Sequence, residues 1–103
     1  MEIRYFHHDV GDFLDALEPA TRAKLSRLIE ALTIEGYRLS MPYSKKIGSS
    51  LYELRAQSVQ NVRVFYTFYD DTAVLLHAAF KKTQKLTKKD LEKAKQRLMY
   101  LRC

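Results

Sequence analysis

Two arginines on a predicted β-hairpin, Arg55 and Arg63, are the residues of this sequence best suited to holding a phosphate group. They flank a short predicted loop at positions 58–61. If the hairpin pairs position 55 with position 63, both guanidiniums project from one face of the sheet, where planar forked donors can grip successive phosphates. An ion pair with the neighbouring Glu53 is the alternative interpretation of each arginine.

Lysines precede and follow this hairpin, and a cluster of cations can neutralise the charge that develops on phosphorus during RNA cleavage. Such cleavage also needs a base for the 2′-hydroxyl and an acid for the leaving 5′-oxygen. The candidate catalytic residues are Arg63, Arg55, Lys82 and Lys81. The candidate RNA-binding residues are Lys45, Lys46, Lys85 and Tyr66.

The sequence offers few ordinary bases for such a reaction. A lysine or tyrosine whose pKa is lowered by crowded positive charge could act as the base, which keeps four residues open: Lys45, Lys46, Lys82 and Tyr66. His77 lies in an apolar predicted strand, where a hydrogen-bonded core histidine is favoured over a catalyst. His7 and His8 precede a predicted helix and are interpreted as cap residues.

Length and composition predict one domain that is confined to the cytoplasm. A chain of 103 residues suffices for a single core. Its one cysteine, Cys103, allows no internal disulfide, and neither a signal peptide nor an apolar run of membrane-spanning length is visible. The sequence has no glycine-rich phosphate loop, HExxH, CxxC or paired-carboxylate signature. We therefore expect no cofactor, no metal and no membrane.

The charge of the chain is unevenly distributed, and this favours an anionic partner. The formal net charge is +6, but residues 1–43 carry five basic and seven acidic groups, whereas residues 44–103 carry thirteen basic and five acidic groups. Such segregation makes one side of the fold electropositive. Nucleic acid or an acidic protein is therefore favoured over a merely solvated basic face.

The N-terminal half of the chain predicts one strand, two helices and a connecting segment. Residues 2–6 alternate as in a short strand, and apolar residues from Val10 to Leu17 recur at helical spacing after a cap at His8 or Asp9. A second helix begins near Pro19 and ends near Gly36. The segment 37–50 is rich in Pro, Ser, Gly and Lys, and we expect a mobile loop there.

The C-terminal half predicts three strands and a helix. Positions 51–56, 62–69 and 73–80 are rich in β-branched, aromatic and aliphatic residues, which favours an antiparallel meander. Thr87 and Asp90 have the spacing of a capping box ahead of a helix that reaches the C-terminus. The predicted fold class is α+β, in the order β-α-α-β-β-β-α, with a meander sheet packed against helices.

The strings LYELR, NVRVFYTFYDD and LLHAAFKKTQK, followed by LTKKDLEKAKQRL, together resemble the HigB-like branch of the RelE/ParE toxin superfamily. The resemblance covers essentially the whole chain. It implies a RelE-like fold and a type II toxin that cleaves translated mRNA in the ribosomal A site without metal. The implied partners are the ribosome, mRNA and a cognate antitoxin, often a helix-turn-helix protein encoded by the adjacent gene.

The resemblance also assigns roles by position. Arg63 matches the strand arginine that contacts the scissile phosphate, so we expect its replacement by alanine to abolish cleavage and leave the fold intact. Arg55 and the pair Lys81 and Lys82 fall in the family's basic surface. Lys45 and Lys46 lie where some members place catalytic lysines.

The sequence departs from RelE itself at two places. It has Glu53 where RelE has a lysine, and positions 86–90 contain no tyrosine where RelE has one on its C-terminal segment. Two other functions stay open. One is a ParE-like protein that poisons DNA gyrase by contact and cleaves nothing, and the other is a non-toxic nucleic-acid-binding accessory domain.

Overall fold

The computed structural model, which describes residues 1–81 and 88–102, is an α+β domain with one mixed sheet of five strands and three helices, compatible with a RelE-like fold. The elements are β1 (Glu2–Tyr5), α1 (His8–Asp15), α2 (Pro19–Glu35), β2 (Ser44–Gly48), β3 (Leu51–Gln57), β4 (Asn61–Tyr69), β5 (Thr72–Phe80) and α3 (Lys88–Arg102). A 3-10 turn at Gly36–Arg38 follows α2.

The order of strands across the sheet is β1-β5-β4-β3-β2. Strands β3 to β5 form an antiparallel meander, as the sequence predicts, and β2 adds a fourth antiparallel strand to it. Strand β1 pairs with β5 in parallel. Parallel pairing needs a long connection, which here consists of α1, α2 and strands β2 to β4. The sheet is therefore mixed.

One sequence prediction about the fold is wrong, since the expected mobile loop at 37–50 contains β2. This strand pairs with β3 in antiparallel register and forms one edge of the sheet. Its two exposed lysines are typical of an edge strand, where charged side chains discourage pairing with another chain. The strand has only five residues, and the loop-like composition of the segment around it gave no strand signal.

Helices cover both faces of the sheet, and alternation along the strands divides the core into two layers. The α2 face is the one packed by α1 and α2, and its buried strand residues are Leu54, Ala56, Val62, Val64, Tyr66, Ala73, Leu75 and Ala78. The α3 face is the opposite one, where α3 packs on Leu51, Phe65, Val74 and Leu76. The apolar stripe of α3 lies against this second layer, with Ala94 and Leu98 buried.

Local sequence signals define several ends of elements. Gly36 has a φ of +55°, a left-handed value that favours glycine, and it ends α2 as predicted. Asp70 and Asp71 both have positive φ and join β4 to β5 in a two-residue hairpin turn. The cap of α1 is His7, one of the two histidines interpreted as cap residues, and its Nδ1 accepts a hydrogen bond from the amide of Asp9. The alternatives His8 and Asp9 lie within the helix.

Among the described residues, no helix is both long and apolar enough to cross a membrane. The predicted cap residue Thr87 and the single cysteine Cys103 lie outside the described residues.

A forked ion pair joins α3 to the beginning of α1. Arg97 donates to the two carboxylate oxygens of Asp9 at 3.0 and 2.6 Å, and also to the carbonyl of Leu76 on β5 at 2.8 Å. Its guanidinium lies 5.3 Å from the centroid of the Phe6 ring. The hydrogen bonds from Arg97 lower the pKa of Asp9 from 3.8 to about 2. This pair therefore connects both helical layers to the sheet.

We expect Asp9→Asn to lower the free energy of unfolding at neutral pH by about 1 kcal/mol, because Asp9 is partly exposed and solvent screens the lost charge. Since the folded state lowers the pKa of Asp9, the stabilisation is present above about pH 4 and is lost as pH falls toward 2. Thermal unfolding of both proteins from neutral pH downward should show their difference shrinking in acid.

The matched control is Glu2→Gln, because Glu2 forms only a long, exposed contact with Arg4 at 3.8 Å. It should leave the acid profile of stability unchanged. A constant difference between wild type and Asp9→Asn across the acid range would contradict the assigned role of Asp9.

Candidate functional site

The strand register brings the two predicted arginines together. Arg55 on β3 is directly opposite Arg63 on β4, which confirms the pairing on which the sequence argument depends. Arg63 is in turn opposite Ala79 on β5. Because Arg63 alternates with the α2-face residues Val62 and Val64, both arginines lie on the α3 face.

A buried carboxylate links the two arginines. The Nε of Arg55 donates to Oε1 of Glu53 at 2.6 Å, and the Nε of Arg63 lies 3.6 Å from Oε2 of the same residue. The Glu53 side chain is 0% exposed, that of Arg63 is 4% exposed and that of Arg55 is 33% exposed. Arg55 is therefore the arginine of this triad that solvent and a ligand reach.

The structure separates the two lysines of β2. Lys45 is directly opposite Glu53 and therefore shares the α3 face with the two arginines. Lys46 is opposite Tyr52, and its ammonium lies 6.0 Å from the centroid of that ring on the other face. Only Lys45 joins the arginines, although the sequence analysis treated the lysines as a pair.

Lys81 extends the same surface. Its amide donates to the carbonyl of Asn61 at 2.8 Å, which continues the pairing of β4 and β5 by one residue. Alternation then gives Lys81 the same face as Ala79 and the arginine row. Lys82 and Lys85 lie outside the described residues, so their predicted roles stay predictions.

Tyr66 does not belong to this surface. It is 1% exposed, lies in the α2-face layer and hydrogen-bonds through its hydroxyl to Ser44. Burial raises the pKa of Tyr66 above its ordinary value of 10.0, which is opposite to the shift that a base would need. The prediction that Tyr66 contacts RNA or acts as a base is therefore wrong for this structure.

A β-bulge in β5 brings a histidine to the α3 face. Leu75 pairs with Tyr66 and His77 pairs with Phe65, which leaves Leu76 as an extra residue between them. The ring of His77 stacks on Phe65 with a centroid separation of 6.1 Å. Its Nε2 lies 2.9 Å from Oδ1 of Asp90 in the first turn of α3.

His77 and Asp90 form a pair that the sequence analysis missed. The hydrogen bond of His77 agrees with its interpretation as a hydrogen-bonded core histidine. Its position beside the arginine row was not predicted. Asp90 had been interpreted as a helix-cap residue alone. A histidine in an apolar strand combined with an acidic first turn in the next element is the signal that could have suggested the pair.

A cavity of about 390 Å³ lies away from this surface, at the other end of α3, lined by side chains that include Tyr5, Tyr69 and Tyr100. Within residues 1–81 and 88–102, no three His, Asp or Glu side chains are grouped to hold a metal ion. The candidate site is the cationic face itself, where several cations on neighbouring strands can contact successive phosphates of a polyanion.

Fold and site together define a small α+β domain with a cationic face on its sheet. The model of the phage-derived Gp49-like protein family (DUF891) matches residues 12–99, and the chain belongs to this family. The family is associated with RelE-type toxins, in accord with the resemblance noted in the sequence. A search of curated proteins finds no match.

The buried triad predicts that Arg63 supports the fold. We expect Arg63→Ala to lower the free energy of unfolding by about 3 kcal/mol or more, because it leaves the buried Glu53 carboxylate with one arginine in place of two. The double variant Glu53→Leu/Arg63→Met should lose less, since it removes both buried charges. Chemical denaturation of the purified proteins measures both values.

The matched control is Lys45→Ala, an exposed cation on the same face, which should change stability by no more than about 0.5 kcal/mol. Wild-type stability of Arg63→Ala would contradict this prediction and restore the earlier expectation that the substitution leaves the fold intact.

Proposed function

We propose that this protein is the toxin of a type II toxin-antitoxin pair and cleaves mRNA on the ribosome. The observation that carries the proposal is the row of cations on the α3 face in a chain of the Gp49-like family. On that face Arg55, Arg63, Lys45 and Lys81 outnumber the single buried carboxylate of Glu53. The HigB-like assignment and the cytoplasmic location are parts of the same proposal.

The electrostatics of the row supports binding to an RNA backbone. Glu53 offsets one guanidinium, so the triad keeps a net charge of about +1, and the exposed Lys45 and half-buried Lys81 add to it. Arg55 projects its guanidinium partly into solvent while Glu53 fixes its Nε. A guanidinium held in this way meets a phosphate with little loss of side-chain freedom.

The proposed chemistry is attack of a 2′-hydroxyl on the adjacent phosphate. Arg55 and Lys81 would neutralise the charge that develops on the phosphate oxygens. The buried Arg63 would hold Glu53 in place, and Glu53 would in turn hold Arg55. The reaction in this proposal uses neither a metal nor a cofactor. Lys82 and Lys85 are kept as proposed contacts from the segment that follows β5.

We expect Arg55→Gln to lower the rate of mRNA cleavage by roughly 10²-fold, the usual scale for removing one charge contact in a transition state. Arg55 is preferred to Arg63 for this test because its partial exposure makes the fold less dependent on it. The measurement is primer extension on a defined mRNA after a pulse of expression in a bacterial host. Wild-type protein should give discrete cuts that appear only while the mRNA is translated.

The matched control is Arg38→Gln, an exposed arginine on the 3-10 turn after α2, which should cleave like wild type. Intact mRNA together with altered plasmid supercoiling during growth arrest would select the gyrase-poison alternative. Intact mRNA and normal growth, with the fold confirmed by circular dichroism, would select the accessory-domain alternative.

An antitoxin that covers the α3 face should silence the protein. Ala94 and Leu98 of the α3 apolar stripe are buried against the sheet, and the cationic row is the surface that we propose for the partner. An acidic segment of a small protein, which we expect to be a helix-turn-helix protein from the adjacent gene, would complement it. Co-expression of that protein should restore growth and protect mRNA.

Charge reversal provides the control for this partner. The variant Lys45→Glu should bind the neighbouring protein at least 10-fold more weakly in a titration at low salt, whereas Arg38→Glu should bind like wild type. Equal affinity of both variants would place the interface away from the cationic row.

A further inference from the structure

The geometry of the His77 and Asp90 pair determines which nitrogen of the neutral histidine ring carries the hydrogen. Nε2 of His77 lies 2.9 Å from Oδ1 of Asp90, and an ionised carboxylate oxygen can only accept a hydrogen bond. Nε2 must therefore carry the hydrogen. In the neutral ring the lone pair then resides on Nδ1, and a carboxylate that fixes the tautomer of an imidazole prepares it to take a proton.

The surroundings of this pair differ from those of an ordinary surface pair. The His77 side chain is 13% exposed and that of Asp90 is 28% exposed. His8 and Asp12 on α1 make a contact of similar length, 3.0 Å, but their side chains are 79% and 72% exposed. The His8 and Asp12 pair is therefore a solvated comparison for the partly buried His77 and Asp90 pair.

The position of His77 relative to the cations suits a reaction at phosphorus. His77 is opposite Phe65, and Arg63 lies two residues from Phe65 on the same strand and face. Diagonal neighbours of this kind in an antiparallel sheet are about 7–8 Å apart. The imidazole therefore lies beside the arginine row, on the same face of the sheet.

Charged groups approach His77 from each element packed against it. Asp90 comes from α3, and Arg63 comes from β4. The Asp9 and Arg97 pair lies at the carbonyl of the bulged Leu76.

We propose that His77 is the general base of the cleavage reaction and that Asp90 is its positioning residue, an inference that rests on the function proposed above. Nδ1 takes the proton of the 2′-hydroxyl while the 2′-oxygen forms a bond to phosphorus. The bond from phosphorus to the 5′-oxygen breaks, and solvent protonates that oxygen. The products are a 2′,3′-cyclic phosphate and a 5′-hydroxyl, and His77 returns its proton to solvent.

The test is single-turnover cleavage of a defined mRNA on purified ribosomes, with saturating protein, over a range of pH. For wild type the rate should rise with increasing pH, because a general base acts only in its deprotonated form. His77→Gln should be at least 10²-fold slower and lose this rise, the usual contribution of a general base. His8→Gln is the matched control and should retain the wild-type rate and profile.

Asp90→Asn separates the chemistry from the fold. The amide oxygen can still accept from Nε2, but it no longer stabilises the imidazolium that forms, so the rate should fall about 10-fold or more with unchanged affinity for ribosomes. This variant decides the matter if His77→Gln does not fold. Wild-type cleavage by Asp90→Asn in that case would overturn the proposal.

The outcomes distinguish this inference from the function on which it rests. If wild-type protein cleaves no mRNA at any pH, the proposed nuclease function fails, and the base assignment fails with it. If wild type cleaves and folded His77→Gln keeps its rate and pH profile, only the assignment of His77 is overturned. The pair would then serve to attach α3 to the sheet.

Discussion

The buried carboxylate of Glu53 is the constraint on which the cationic face depends. A fully buried charge is costly unless it is paired, and here Arg55 and Arg63 supply the pairing. The same contacts fix the two arginines side by side on adjacent strands. The sheet therefore holds a cationic surface in place through an interaction that belongs to its own core, so that a change at Arg63 alters stability and charge at this face together.

The arrangement of strands decides which other side chains join this face. The pairing of β2 with β3 at the edge of the sheet places Lys45 on the α3 face and Lys46 on the opposite face. The bulge at Leu76 gives His77 to the α3 face, beside the first turn of α3. Arg97 holds α3 against the carbonyl of that same bulged residue. One local irregularity of β5 thus connects the position of the helix with the position of the histidine.

Much of the fold could be predicted because its strands alternate strongly and its hairpins are short. Alternation gave the two faces of β4, and the short loop after β3 suggested the pairing of Arg55 with Arg63 that the structure shows. Alternation alone does not identify partners across the sheet, so the parallel pairing of β1 was not predicted. Strand β2 was missed because its composition is that of a loop. Its backbone pairing with β3, and not its own residue preferences, stabilises it as a strand.

The site was harder to predict, because its chemistry depends on burial and on one extra residue. Sequence could not show that Arg63 is nearly buried while Arg55 is partly exposed, since both occupy equivalent positions of the hairpin. Nor does any spacing rule anticipate a bulge, and without it His77 and Leu76 would lie on opposite faces.

The residue at position 53 has a consequence for the proposed mechanism. A lysine there, as in RelE, would add a third cation beside two arginines, whereas glutamate lies fully buried between them and has no access to a nucleic acid. In the proposed function, proton transfer therefore falls to another part of the α3 face, and among the described residues of that face His77 combines a carboxylate partner with a partly exposed side chain.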